Sequence, residues 1–219
     1  MKKLSPPDIQ RILAATRADI PERDRDEMAI PSYTHGNPLI RWLMWRRYEE
    51  IARLALLAPG ETVLEFGCGI GLFLPTLAGE GRRVSAIDLF PQFARTLTQQ
   101  LHLDVAFPER IEAIPDHSQD LIVAADVLEH VDDLPGWVRA FHTRLKPGGR
   151  MLVSGPTENV AYRIGRFVAG FSGKGEYHHT DIADIRQVFE AGGFRVTDRA
   201  NLPFALPPHL FQVFRCQPI

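Results

Sequence analysis

Val63-Leu64-Glu65-Phe66-Gly67-Cys68-Gly69-Ile70-Gly71 is the stretch that decides the fold. Its apolar start suits a buried parallel strand, and Glu65 near the end of that strand is placed to accept hydrogen bonds from a ligand or from turn amides. Gly67, Gly69 and Gly71 lack the Cβ atoms that would keep a bound molecule away from the backbone. The stretch therefore predicts a strand that runs into a turn able to cradle a nucleoside, with a helix opening after it.

The spacing of the glycines separates this turn from the common dinucleotide-binding turn. The dinucleotide fingerprint reads G-x-G-x-x-G, whereas Gly67 to Gly71 read G-x-G-x-G with an acid two residues upstream. The run from Glu65 to Phe73 resembles motif I of the class I S-adenosylmethionine-dependent methyltransferases. This resemblance implies S-adenosyl-L-methionine as the cofactor.

Three further segments stand in the order of that family. Val84–Asp88 resembles its second strand, whose terminal acid can bind ribose hydroxyls. Asp120 to Val131 resembles the fourth strand with its exit turn, which lines the methionine end of the cofactor, and Leu145 to Ser154 resembles the fifth strand. The implied cofactor-binding residues are Glu65, Gly67, Cys68, Gly69, Gly71, Asp88, Leu89, Ala125 and Asp126.

From Glu61 onward, strand and helix patterns alternate, which is typical of a parallel sheet with helices on both faces. Together with the resemblance, this predicts an α/β fold with a doubly wound, mostly parallel, seven-stranded sheet and a C-terminal antiparallel hairpin. The short third strand is expected at Asp104–Phe107. We predict an N-terminal helical extension or lid over residues 1–58 and a cofactor-binding domain over residues 59–219, with an inserted loop and helix at about 155–179.

Two helices are expected in the N-terminal extension. Asp8–Ala18 starts with a capping aspartate and spaces its apolar residues as a short amphipathic helix does. A longer helix begins near Pro38 and ends before Pro59-Gly60. It carries Trp42, Trp45 and four arginines, so three roles stay open for it: packing against the sheet, lying at a membrane surface, or forming a wall of the substrate pocket.

The composition excludes several classes of protein. The chain has 219 residues, 45% hydrophobic content and a formal net charge of −2, so one α/β domain with extensions is expected and a strongly basic nucleic-acid binder is disfavoured. Cys68 and Cys216 form neither a disulfide framework nor a metal-type pair. The N-terminus lacks a secretory signal, and no apolar run is long enough to span a bilayer. We expect a cytoplasmic protein without a metal, with peripheral contact to a membrane left open.

Methyl transfer from a sulfonium depends mainly on positioning, and for some acceptors also on removal of a proton. The segment Glu176–Asp181 contains His178 and His179, which are the candidate catalytic residues; a helix cap with a hinge and a metal site are the alternatives. Adjacent histidines on an extended chain point to opposite sides, which disfavours a shared metal. Tyr33 and His35 are placed to close over the same site as a lid.

The resemblance extends to one group of small-molecule enzymes. Asn37-Pro38-Leu39 with Arg41, the L-E-H-V turn at Leu128–Val131 and the insert after the fifth strand are similar to the ubiquinone-biosynthesis O-methyltransferases. Ser154–Asn159 departs from that group, so its specific substrate is not carried over. Arg110 stands where relatives often have an adenine-binding aspartate, so the adenine contact is left open.

The sequence favours a methyltransferase that acts on a small or lipid-linked molecule, with oxygen preferred over nitrogen or carbon as the nucleophile. Arg163, Arg166, Phe167 and Phe171 make the insert both basic and apolar, which suits an amphiphile with an acidic head. The alternatives are a methyltransferase of a protein or nucleic acid and a non-catalytic cofactor-binding scaffold. The sequence determines neither the acceptor nor the oligomeric state.

Overall fold

The computed structural model describes residues 1–16, 30–168 and 180–219. In chain order the helices are α1 (Pro6–Ala15), α2 (Ile30–Thr34), α3 (Pro38–Ala55), α4 (Leu74–Leu77), α5 (Gln92–Gln100), α6 (Leu134–Arg144), α7 (Val160–Val168) and α8 (Ile182–Ala191). The strands are β1 (Thr62–Phe66), β2 (Arg83–Ile87), β3 (Val105–Ala106), β4 (Gln119–Ala125), β5 (Leu145–Pro156), β6 (Phe194–Leu202) and β7 (Phe211–Pro218). Single 3-10 turns lie at Ile111–Ala113 and Leu128–His130.

The strands in the described ranges form one seven-stranded sheet in the order β3-β2-β1-β4-β5-β7-β6. β1 to β5 pair in parallel, while β7 lies antiparallel between β5 and β6. The strand order reverses between β1 and β4, and open α/β sheets bind ligands at the carboxyl ends of the strands at such a reversal. The predicted doubly wound sheet and its antiparallel hairpin are confirmed.

Both faces of the sheet are covered, which explains why β1 reads as an uninterrupted apolar run. Successive side chains on a strand point to opposite faces. Val63 packs in a buried cluster with residues of α3 and α4, whereas Leu64 packs in a second cluster with residues of α6 and α8. Each face of β1 is therefore removed from water by helices.

The long helix α3 begins and packs as its sequence dictates. The Oδ1 of Asn37 accepts a hydrogen bond from the amide of Leu39 at 2.9 Å, and Pro38 occupies the first turn, where its missing amide hydrogen is not needed. Trp45 is buried in the core, while Trp42 is 40% exposed. The helix therefore packs against the rest of the domain over most of its length, and Trp42 reaches the surface.

The start of α1 corrects one expectation. Its cap is Ser5, whose Oγ accepts from the amide of Asp8 at 3.3 Å, so the prediction that Asp8 caps this helix is wrong. The reason is that Pro6 and Pro7 fit the first turn of a helix, which lets α1 begin two residues earlier. Asp8 instead lies in the first turn, where its negative charge interacts favourably with the positive end of the helix dipole.

The N-terminal helices pack over the loop that follows β1. Ile9 of α1 and Tyr33 of α2 share a buried cluster with Ile70 and Leu72 of that loop. This contact places the N-terminal segment beside the carboxyl edge of the sheet. Within the described ranges, none of the helices has the length and apolar character needed to cross a membrane.

Candidate active site

The glycine turn leaves β1 at the carboxyl edge of the sheet with three residues in the left-handed region. Gly67, Gly69 and Gly71 have φ of 74°, 53° and 80°. A Cβ atom added at Gly67 would lie 2.3 Å from Val127, and one at Gly71 would lie 3.0 Å from Ala94. At Gly69 it would meet no atom within 4 Å. Packing therefore requires glycine at the first and third positions, while Gly69 leaves the space in which a ligand can approach the backbone.

Asp88, directly after β2, fixes this turn. Its Oδ2 accepts a hydrogen bond from the amide of Gly69 at 2.6 Å, and its Oδ1 accepts from the amide of Phe90 at 2.9 Å. Leu89 between them is 89% exposed. The carboxylate thus stands beside the open face of the turn, and its expected contact with ribose hydroxyls stays a prediction, as does that of Leu89.

Glu65 is a buried carboxyl at the end of β1. It is 1% exposed, and its Oε2 has no hydrogen-bond partner in the part of the chain that the structure describes. Burial raises the pKa of this carboxyl well above its usual value, and the negative charge of Asp88 adds to the effect. A buried acceptor without a partner is costly, so the site is prepared for a ligand that supplies a donor or a positive charge.

The turn after β4 carries two of the other predicted residues. Ala125 is the last residue of β4 and is partly buried. Asp126 follows with φ of 52°, and its amide donates to the carbonyl of Ser154 at 3.0 Å. The hydroxyl of Ser154 donates in turn to Oδ1 of Asp126 at 3.1 Å. These contacts hold the Asp126 carboxylate at the carboxyl ends of β4 and β5.

Arg47 of α3 joins this group, although the sequence did not single it out. Its guanidinium forms a buried ion pair with Asp126, donates to the hydroxyl of Tyr33 at 3.2 Å, and lies 4.6 Å from the centre of the Phe211 ring. Burial lowers the pKa of Arg47 and is the largest single effect, but the combined attraction of Asp126, Tyr33 and Tyr48 makes the net shift upward. The sequence feature that could have identified Arg47 is its helical spacing with the apolar residues of α3. The buried stripe of this helix includes Met44, Arg47, Ile51 and Leu54.

Glu129, in the 3-10 turn after β4, is a second buried carboxyl. It is 2% exposed, and its Oε2 lacks a partner among the described residues. Burial raises the pKa of Glu129 well above its usual value, and the charge of Asp126 raises it further. Glu65 near the end of β1 and Glu129 after β4 are thus two buried carboxyl groups, each of which would stabilise a donor or a positive charge on a ligand.

The remaining predicted residues divide between the site and other places. Cys68 is buried, which raises the pKa of its thiol, and its carbonyl accepts from the amide of Gly71 at 2.8 Å, so its contact with a cofactor stays a prediction. Tyr33 lies in the site, where its ring stacks on Tyr48 with centroids 5.9 Å apart. His35 accepts from the amide of Asn37 at 3.0 Å, at the start of α3. The candidate catalytic residues, which lie outside the described residues, are His178 and His179.

The fold and the glycine turn together are typical of the class I S-adenosylmethionine-dependent methyltransferases. The chain belongs to the methyltransferase domain family, since residues 41–199 match the model of that family. The predicted family is thereby confirmed.

Curated relatives carry the same kind of domain. The chain is 33% identical over 142 residues to the ubiquinone biosynthesis O-methyltransferase of Xanthomonas campestris pv. campestris, a match that covers 59% of this chain and 59% of that protein. It is 31% identical over 158 residues to the enzyme of that name from Xanthomonas euvesicatoria, which covers 65% of this chain and 66% of that protein. The chain thus spans less than two thirds of the length of each of these relatives.

Solved structures with the same fold include two that cover most of the chain. A S-adenosylmethionine-dependent methyltransferase from Aquifex aeolicus has a TM-score of 0.62 at 20% identity and covers 98% of this chain and 99% of its own. A protein from Pyrococcus horikoshii has a TM-score of 0.69 at 16% identity and covers 86% of this chain and 96% of its own. These likenesses show the fold.

Proposed function

We propose that the chain transfers a methyl group from S-adenosylmethionine to an oxygen atom of a small or lipid-linked acceptor. The observation that carries the proposal is the open backbone at Gly69 beside the unpartnered Oε2 of Glu65. S-adenosylmethionine supplies an activated methyl group when bound, and its ammonium and sulfonium charges suit a crevice with buried carboxyl groups. Glu65, Gly69 and Asp88 would hold it, with Asp126 at the methionine end.

The class of acceptor is supported by two features. The curated relatives have names that state O-methylation, which is said of those proteins and favours oxygen here. Aromatic rings also surround the Arg47 and Asp126 pair: Tyr48 stacks on Phe73 with centroids 4.9 Å apart, and Phe211 lies under the guanidinium. Apolar walls with a few fixed polar groups are typical of small-molecule sites.

Two other functions are less well supported. A methyltransferase of nucleic acid is expected to carry a large basic surface, and the formal net charge of −2 does not favour one. A scaffold that binds the cofactor without turnover is less favoured, because the curated relatives have names that state methylation. Cofactor binding without turnover on any acceptor would favour that second alternative.

Calorimetric titration with S-adenosylmethionine and S-adenosylhomocysteine tests the cofactor. We expect Asp88→Asn to weaken binding at least about tenfold, because the variant loses the charged acceptor beside the turn. Asp198→Asn is the matched control, since Asp198 lies on the outer strand β6. A folded native chain that binds neither compound would overturn the proposal. If binding is found, turnover is then measured with phenolic and lipid-linked acceptors.

A further inference from the structure

Several large apolar side chains stand in water at one part of the molecule. On α3, Leu39 is 65% exposed and Trp42 is 40% exposed. On the connection between β6 and β7, Phe204 is 64% and Leu206 is 78% exposed. The rings of Trp42 and Phe204 lie 6.1 Å apart, so these two segments form one continuous surface.

Helix α7 adds a third segment with the same character. Val160, Ile164 and Phe167 are 72%, 58% and 71% exposed, and their spacing of four and three residues places them on one face. Tyr162 instead packs edge-on against Phe211, with centroids 5.4 Å apart, so another face of α7 meets the domain. The apolar face of this helix is thus directed away from the core.

Hydrogen bonds join α7 to the connection between β6 and β7. The Oγ1 of Thr157 donates to the carbonyl of His209 at 2.8 Å, and the Nδ2 of Asn159 donates to the same carbonyl at 2.6 Å. The exposed residues of α3, of this connection and of α7 therefore belong to adjoining segments, which we call the apolar surface. Contiguous exposed apolar residues of this kind mark an interaction site.

The segments of the apolar surface contain basic residues and no acidic ones. Residues 38–47, 160–168 and 203–210 contain five arginines and no acidic residue, in a chain whose net charge is −2. Two of these arginines do not add free charge to the surface, because Arg47 is buried against Asp126 and Arg46 is paired with Glu49 and Glu50. Arg163 is exposed on α7. Glu49 and Glu50, farther along α3, form ion pairs with Arg46, and Glu158, two residues before α7, is partly buried. The surface thus combines bulky apolar side chains with basic ones.

We propose that the apolar surface docks on an anionic lipid bilayer, with its apolar side chains at the boundary between headgroups and acyl chains. Amphipathic helices with basic residues beside aromatic and aliphatic ones bind in this way, through apolar burial and attraction to anionic lipid. A second copy of the chain is the less favoured occupant, because a two-fold contact would bring the same arginines against each other. The proposal does not depend on methyl transfer.

Co-sedimentation with vesicles tests this docking. We expect the full chain to bind phosphatidylcholine vesicles that contain phosphatidylglycerol and to bind pure phosphatidylcholine much less, with salt reducing the difference. Ile164→Ser and Phe167→Ser should each weaken the partitioning about tenfold, since each removes one apolar side chain that docking on the bilayer would bury. Ile219→Ser is the matched control, because Ile219 is 85% exposed and lies outside the apolar surface.

Circular dichroism and cofactor calorimetry show whether each variant is folded. Loss of vesicle binding in both α7 variants with retained folding, and none in Ile219→Ser, supports the proposal. A folded native chain that does not bind the anionic vesicles overturns it, and so does an equal loss in Ile219→Ser. Self-association that Ile164→Ser abolishes, in the absence of vesicle binding, overturns it in favour of a second copy.

Discussion

Glu65 and Glu129 each keep one buried carboxyl oxygen without a partner in the part of the chain that is described. An unsatisfied buried polar group costs roughly 1 to 3 kcal/mol, and a charged one costs more. Burial raises the pKa of both carboxyl groups, which favours their neutral form in the unliganded protein and reduces the larger cost. A positively charged ligand stabilises the ionised form of these carboxyl groups, so its binding favours their deprotonation.

The pH dependence of cofactor affinity follows from the raised pKa of Glu65. Above the ordinary carboxyl value of 4.5, the folded protein holds a proton that the unfolded chain has released, so the stability of the unliganded protein falls as the pH rises through that window. The affinity for cationic S-adenosylmethionine should rise over the same window, because Glu65 becomes ionised. Calorimetry over a pH series should show that Glu65→Gln flattens this rise.

Glu80→Gln is the control for that measurement, because the side chain of Glu80 is 64% exposed and pairs with Arg82. It should keep the native pH profile. A Glu65→Gln variant that binds the cofactor with the native pH profile would contradict this role for Glu65.

The buried ion pair of Arg47 with Asp126 predicts an asymmetric loss of stability. Arg47→Met leaves the partly buried Asp126 carboxylate without its charged partner, which should cost up to about 3 kcal/mol in the free energy of unfolding measured with urea. Arg46→Met, one residue away on the partly exposed side of α3, should cost at most about 1 kcal/mol. The double variant Arg47→Met/Asp126→Asn should regain part of the loss. If Arg47→Met and Arg46→Met lowered the free energy of unfolding equally, burial of the Arg47 ion pair would not explain the loss.

Some residues of the candidate site could be identified from the sequence, and others could not. Glu65 was identified because motif I fixes its spacing from the glycines. Arg47 was missed because one basic residue within an apolar stripe has no partner in the sequence, and Asp126 lies 79 residues away. The burial of Glu129 was equally hidden, since it depends on how distant elements pack.

At the scale of single elements, helix starts follow local chemistry. Ser5, Asn37 and Asp181 each accept hydrogen bonds from the first turn of the helix that follows. The sequence located the start of α3, but it placed the cap of α1 at Asp8 because the two prolines before it were not counted as helical. The residue at which a helix begins thus depends on which of two nearby capping residues accepts the hydrogen bond from the first turn.

The cap of α8 gives a prediction for this scale. Oδ1 of Asp181 accepts from the amides of Ala183 and Asp184 at 2.8 and 2.9 Å. Asp181→Ala should therefore lower the free energy of unfolding by about 1 kcal/mol. Thr180→Ala should cost much less, because the Thr180 hydroxyl has no hydrogen-bond partner in the described residues. Thermal or urea unfolding of both variants checks this, and a larger loss in Thr180→Ala would assign the cap to Thr180.

At the scale of the whole molecule, the order of the motifs was enough to predict the sheet. Each strand with its exit turn occurs in the order that a doubly wound fold requires, and the antiparallel end follows the last helix. The packing of α1 and Tyr33 on Ile70 and Leu72 was not predictable, because it joins segments distant in sequence and has no motif. The division into an N-terminal lid over residues 1–58 and a cofactor-binding domain stays a prediction.

Ligand linkage gives a measurement on the whole domain. With free S-adenosylmethionine at a hundredfold excess over its Kd, the folded state should gain about 2.7 kcal/mol, which corresponds to about 5 to 10 °C in Tm for a domain of this size. Scanning calorimetry of the native chain and of Asp198→Asn should show this shift, and Asp88→Asn at the same concentration should show less of it. An equal shift in Asp88→Asn would argue that the cofactor binds away from the glycine turn.

The position of β7 bears on how the chain is made. β6 precedes β7 in sequence, yet β7 is the strand that joins β6 to β5. During synthesis, β6 leaves the ribosome before its pairing partner exists, and the edge of β5 stays open until Phe211–Pro218 have emerged. An exposed strand edge is a template for pairing with other chains. A nascent chain is therefore open to mispairing along β5 until Phe211–Pro218 have left the ribosome, and a chaperone that covers this edge would protect it.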